Sequence, residues 1–198
     1  MNVILRWGSG GRADPGFARS SIVDSAWRCY QLYGIRGTKI DHIARETKIS
    51  RTTIYRYFQS RDEILAAVVK QAISDLIVAA ERRVGSHVSF VDFLVGSLPR
   101  LVDMVRQSAL FVIISREVKL PCVGWSEIFG VICDHLRPRY EAAKAAGELA
   151  DNVEFEQLMD WVAHVAEAYI VMPSPLSGSD LQDLLQKFLA PVIARRPV

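Results

Sequence analysis

Cysteine is scarce in this 198-residue chain, and the three present, Cys29, Cys122 and Cys133, form no pattern. They are odd in number and widely spaced. The absence of a C-x-x-C pair leaves no sign of a structural zinc site or a dithiol redox motif. They read as small buried hydrophobes in a reducing compartment. Histidine is equally sparse: His42, His87, His135 and His164 are scattered, with no metal-binding spacing. Long apolar runs are missing too. Ala109 to Ile114 is a typical longest stretch, closed by Ser115-Arg116-Glu117, well short of the roughly 18 residues that span a bilayer. Met1 to Trp7 is too short for a secretory core, and no small-residue cleavage site follows, so a cytoplasmic protein without membrane attachment is expected. The chain also lacks G-x-S-x-G, G-x-x-x-x-G-K-[ST], H-E-x-x-H and a dinucleotide fingerprint. The expectation is therefore a protein that is not an enzyme and that carries neither metal nor cofactor.

What the chain has is hydrophobic mass and an uneven charge. Half of the residues are hydrophobic, enough to build a core. The net charge of +2 hides an asymmetry: residues 1–62 hold 11 Lys and Arg against 5 Asp and Glu, while residues 63–198 hold 13 against 17. A basic head on an acidic body suits a head that meets a polyanion.

Helical periodicity runs through the chain, and no convincing alternating strand interrupts it. Residues 1–13, with Gly8-Ser9-Gly10-Gly11, read as a disordered arm. Asp14-Pro15 opens a helix whose apolar face is Ile22, Ala26, Cys29, Tyr30 and Tyr33, and Gly34 stops it. Thr38, with Asp41 three residues on, starts a short helix backed by Ile40, Ile43 and Ala44. After a turn near Thr47 to Ile49, Ser50 caps a second short helix, Arg51 to Tyr57. Ser60 and Glu63 form a capping box that opens a long helix ending at Gly85. Further helices are expected near 89–107, 108–119, 124–146, 153–172 and 179–195. Pro99 should kink or divide the first of these and Pro138 should disturb the third. The fold expected is all-α with about nine helices: a helix-turn-helix domain over 14–60 and a helical domain over 61–198.

Two short helices joined by a tight turn and flanked by supporting helices make a DNA-reading unit, the second helix entering the major groove. Ala44, Ile43, Ile49 and Ile54 supply the apolar contact between them. Thr38 and Ser50 place helix starts near phosphates. Arg51, Thr52, Thr53, Tyr55 and Arg56 supply polar groups on the outer face, and Lys39, Lys48 and Arg61 supply charge at its rim. The combination Gly34-Ile-Arg-Gly37-Thr38, Ile43-Ala44, Ile49-Ser50-Arg-Thr-Thr-Ile54-Tyr55-Arg-Tyr57-Phe58 and Ser60-Arg-Asp-Glu63-Ile64-Leu65 resembles the DNA-binding domain of TetR-family regulators. The resemblance runs from about Arg19 to Val69, roughly a quarter of the chain. It implies that Thr38 holds a phosphate, that Thr52, Thr53 and Tyr55 face DNA, that Tyr57 touches the backbone, and that Arg61 replaces a phosphate-binding lysine. Where the family often has Ala-Gly in the turn, this chain has Thr47-Lys48. A left-handed Lys48 would carry strain of about 1 kcal/mol.

The same resemblance implies a homodimer on a palindromic operator in double-stranded DNA, with the last two helices forming a four-helix interface. Ala163, Ala166 and Ile170 make one candidate stripe for it, and Leu181, Leu184, Leu185, Phe188 and Val192 another. It also implies a small-molecule effector held among the middle helices. Candidates to line that pocket are Phe93, Met104, Phe111, Arg116, Trp125, Phe129, Trp161, His164 and Tyr169, whose apolar and aromatic character suits a hydrophobic ligand. Ligand would shift the population toward a state in which the helix from Arg61 to Arg83 misplaces the DNA-reading head. An effector-independent, nucleoid-type DNA-binding protein of this fold is the alternative.

Overall fold

The computed structural model describes residues 15–84, 88–117, 125–172 and 178–195, and its described elements are helical apart from one isolated antiparallel bridge, Leu149 to Ala194. The chain divides into two compact units, residues up to Val68 and residues from Val69, later than the expected 60/61 boundary. The expected disordered arm, 1–13, lies outside the described residues.

In the first unit, Pro15 stands at the start of α1 (Pro15–Gly37), where a missing N–H costs no helical hydrogen bond. Ile22, Ala26, Cys29 and Tyr30 are buried along one face, as their spacing predicts. Tyr33, expected on that face, is instead 49% exposed, with its ring 4.5 Å from that of His42. Gly34 (φ 70°, ψ 170°) breaks the helical path inside α1, a conformation that glycine adopts without a Cβ penalty. The short helices α2 (Ile40–Thr47) and α3 (Arg51–Tyr57) follow, then the first part of α4 (Arg61–Val84). Ile43, Ile54, Phe58 and Ile64 are at most 1% exposed and form the centre that α1 covers. Arg28 of α1 donates to Ser25 Oγ at 2.8 Å and to Glu46 of α2 at 2.8 Å, fixing the approach of the first two helices.

The second unit takes the rest of α4, then α5 (Phe90–Gln107), α6 (Ala109–Glu117), α7 (Trp125–Ala145) and α8 (Phe155–Val171). It ends with α9 (Gly178–Leu184), a π-helical turn (Leu185–Leu189) and α10 (Ala190–Ile193), which run into one another as one rod. Counted so, the described residues hold nine helical rods. The π turn precedes Pro191, and the Ala190 amide reaches back five residues to Leu185 O. A proline ring crowds the preceding turn, and widening that turn accommodates it. Pro99 behaves otherwise than expected: α5 continues through it from Phe90 to Gln107 with Pro99 buried. The core gathers around fully buried Tyr140, whose hydroxyl donates to Val153 O at 2.6 Å and whose ring lies 5.9 Å from Phe90 and 5.0 Å from Phe155. No helix among the described residues is long and apolar enough to cross a membrane.

Candidate nucleic-acid interface and internal cavity

The turn between α2 and α3 depends on one residue. Lys48 sits at φ 58°, ψ 30°, the left-handed conformation its place in the turn requires, and the amides of Lys48 and Ile49 both point back to Ala44 O. Thr47, buried just before it, closes α2 by donating its hydroxyl to Ile43 O at 2.8 Å. Ser50 then caps α3, its Oγ accepting the Thr53 amide at 3.1 Å. A serine at this position satisfies one of the amides that a helix start leaves without a partner.

With α3 so begun, seven residues are sorted by the helical period. Ile54 turns inward, fully buried, and Phe58 just beyond it does the same under the Arg19 guanidinium, 4.7 Å from its ring. Arg51, Thr52, Tyr55 and Arg56 turn outward, Tyr55 remaining 45% exposed despite its ring. Thr53 is half-buried and its hydroxyl lies 2.8 Å from that of Ser50, so it serves the cap rather than the outer face. Tyr57 is half-buried with the Arg56 guanidinium 5.3 Å from its ring centre. Arg51 pairs with Asp41 of α2 at 3.3 Å across exposed surface, a bond weak enough for a phosphate to displace. Lys39, Lys48 and Ser50 are exposed on the same unit.

Thr38, expected at a phosphate, is placed inside the unit. Its side chain is 1% exposed and its hydroxyl donates to Gly34 O at 2.6 Å, closing the kinked end of α1. The residue that starts α2 is Lys39, whose amide donates to His42 Nδ1 at 3.3 Å. Arg61 begins α4 with one guanidinium N–H committed to Ile35 O at 2.9 Å, which leaves further donors of this exposed side chain available. The S-x-x-E box before α4 forms in a modified way: Ser60 Oγ accepts the Glu63 amide at 3.1 Å, while the Glu63 carboxylate accepts from Gln59 at 2.7 Å.

In the second unit, α4, α5, α6, α7 and α8 surround a cavity of about 120 Å³. Among the described residues its wall is hydrocarbon except at Ser108 and Glu167. Of the residues expected to line a pocket, Phe111 does so, and Phe93 borders a second cavity of about 50 Å³ that shares Leu101, Ile132, Ala163 and Ala166 with the first. Trp161 and His164 do not: they lie on the outer side of α8, Trp161 45% exposed and His164 against Asp160. Phe129 and Tyr169 pack on the core, and Met104 is half-buried away from both cavities. The side chains of Arg116 and Trp125 lie outside the described residues. The α4 wall residues, Val69, Ala72, Ile73 and Leu76, escape sequence reasoning because helical spacing looks the same against a void as against a core.

The candidate dimer stripes divide similarly. Ala163, Leu181 and Leu185 are at most 4% exposed and belong to the interior of their own chain. Ala166 and Ile170 line the larger cavity, and Leu184 is half-buried. Phe188 and Val192 remain outside, 68% and 65% exposed, and α8 adds Trp161 and Val171, with Met172 following at 60%.

Residues 22–68, the stretch from the middle of α1 through α3 into α4, match the family model of bacterial regulatory proteins of the tetR family. Over 66 residues the chain is 30% identical to the HTH-type transcriptional repressor SCO4008 of Streptomyces coelicolor, a match that spans 33% of this chain and 34% of that protein. The fold extends the likeness along the chain. The R. erythropolis transcriptional repressor QsdR, of the TetR family, superposes with a TM-score of 0.67 at 17% identity, covering 92% of this chain and 99% of its own. RolR, in complex with resorcinol, superposes with a TM-score of 0.65 at 14% identity, covering 90% and 88%. The chain thus carries a match to the tetR family over residues 22–68, and as a whole it has the fold of the TetR-family repressor QsdR.

Proposed function

We propose that this chain acts as a homodimeric transcriptional repressor, bound to a palindromic operator through α3 and released by a small hydrophobic effector held in the cavity of the second unit. The observation that carries the DNA-binding reading is the division of α3: Ile54 fully buried, with Arg51, Thr52, Tyr55 and Arg56 on the opposite side. A short helix anchored by one apolar face, with hydrogen-bonding groups on the other, fits the major groove, where base edges offer donors and acceptors. Lys39, Lys48 and Arg61 would supply charge to flanking phosphates, positioning the helix without reading sequence.

One such helix reads few base pairs, so two copies are needed, spaced by a helical turn of DNA of about 34 Å. Phe188, Val192, Trp161, Val171 and Met172 are the large exposed apolar residues of α8 and the final rod that a second copy would cover. The effector reading rests on the hydrocarbon wall of the cavity, and the resorcinol bound to RolR supports a ligand in a protein of this fold. Coupling has a covalent route. α4 carries Arg61 at its start and Val69, Ala72, Ile73 and Leu76 in the cavity wall, so a ligand that favours one setting of α4 biases the DNA-binding end of the same helix. Strong release requires a ligand preference of several kcal/mol between the two states.

Footprinting of the purified protein on genomic DNA tests the DNA reading. One short palindrome is expected. Broad, effector-insensitive coverage would instead favour a nucleoid-type protein. Tyr55→Ala should reduce operator affinity at least about tenfold, the worth of a lost specific contact, while circular dichroism and oligomeric state stay unchanged. Undiminished affinity in that variant would remove α3 from the interface.

A further inference from the structure

Among the described residues, the larger cavity has a single ionisable group in its wall, Glu167 of α8. The only other polar residue described there, Ser108, is already engaged: its hydroxyl donates to Val105 O at 2.8 Å and accepts the Phe111 amide at 3.1 Å. Glu167 is half-buried, and among the described residues it makes no ion pair or hydrogen bond. No Lys, Arg or His among the described residues lines the cavity with it. His164, one turn earlier, is held mainly by Asp160, its Nδ1 2.7 Å from the Asp160 carbonyl and 3.6 Å from the carboxylate, and feels Glu167 only as a weaker charge neighbour outside hydrogen-bond reach. The neighbouring small cavity makes the contrast. Its carboxylate, Glu81, already has His135 at 2.7 Å and Arg139 at 3.8 Å.

A ligand that fills a hydrocarbon cavity strips water from any carboxylate at its wall. A neutral ligand leaves that loss unrepaired, an anion adds repulsion, and a cation replaces the lost water with a charged hydrogen bond. We propose that the effector is a lipophilic cation, a protonated amine on a compact apolar body, with its ammonium group on Glu167 and its hydrocarbon against Ile73, Leu76, Phe111 and Ile170. The proposal rests on the reading of this cavity as the effector site and names the class of ligand it selects.

Titration calorimetry of the full-length protein with octylamine, octanol and octanoate, equal in chain and different in charge, separates the possibilities. Octylamine should bind about tenfold more tightly than octanol, the worth of one charge-assisted hydrogen bond, with octanoate weakest. Glu167→Gln should bring octylamine down to octanol without changing octanol itself, and Glu167→Lys should place octanoate first. Equal binding of the three by the wild-type protein, a lead for octanol or octanoate, or an amine preference that survives Glu167→Gln would each overturn the cation assignment while leaving the cavity as an effector site. Failure of all three to bind would remove the effector-site reading and the cation with it.

Discussion

The guanidinium of Arg61 donates to the carbonyl of Ile35 at 2.9 Å, joining the start of α4 to the residue that follows the break in α1. The end of α1 at Gly37 explains why that carbonyl is open to a side chain. In an unbroken helix it would accept from Lys39, but the Lys39 amide is directed to His42 Nδ1. Arg61→Met should therefore destabilise the protein by about 1 kcal/mol, measured by urea unfolding, because a partly buried acceptor loses its donor. On DNA, the same variant should bind less tightly at every sequence, with the slope of log affinity against log salt reduced by about one. A stability loss with no change in salt slope would assign Arg61 to the fold alone.

Lys48 holds a left-handed conformation with a side chain that disfavours it. Lys48→Gly should raise stability by about 0.5 kcal/mol, the relief of strain exceeding the extra entropy glycine brings to the unfolded chain. Its operator affinity should nevertheless fall as a charge is lost, and more at low salt than at high. Thermal unfolding and salt-dependent binding of one variant would show stability and DNA affinity moving in opposite directions.

Burial pushes the Tyr30 hydroxyl from its ordinary 10.0 up to about 12. The native state then keeps a proton that the unfolded chain releases, so stability contributed by this group is intact below pH 10 and is lost as pH rises toward about 12. The loss should amount to about 2 kcal/mol. Stability of Tyr30→Phe should fall less over that interval, as followed by denaturant unfolding at fixed pH values.

Phe188 and Val192 lie four residues apart on the final rod, 68% and 65% exposed. Replacing both with aspartate should leave the chain folded, since neither fills its core. If they meet a second copy, sedimentation should show a shift from dimer to monomer and operator binding should weaken with it. An unchanged dimer would place the interface elsewhere.

The spacing of Ile22, Ala26, Cys29 and Tyr30, the serine before α3 and the Ser60–Glu63 pair are local signals, and local signals are what a sequence displays. They were enough to set the helices, the helix-turn-helix and its outward residues Arg51, Thr52, Tyr55 and Arg56, because one helix turn decides which side chains share a face. They also foresaw the strained turn, since a tight reversal after Thr47 leaves Lys48 little choice of backbone.

Tertiary packing decided the rest. Thr38 looked like a helix cap, and only the kink at Gly34 buried it against the end of α1. Trp161 and His164 looked like pocket residues, and only the docking of α8 turned them outward and left Glu167 beside the void. Leu181 and Leu185 belong to the same stripe in sequence as Phe188 and Val192, yet the first two fill the interior of their own chain and the last two remain on its surface. A helical period assigns a residue to a face. What that face meets, whether core, cavity, solvent or a second copy, depends on contacts far apart in the chain, and those have no signature in the spacing of neighbours.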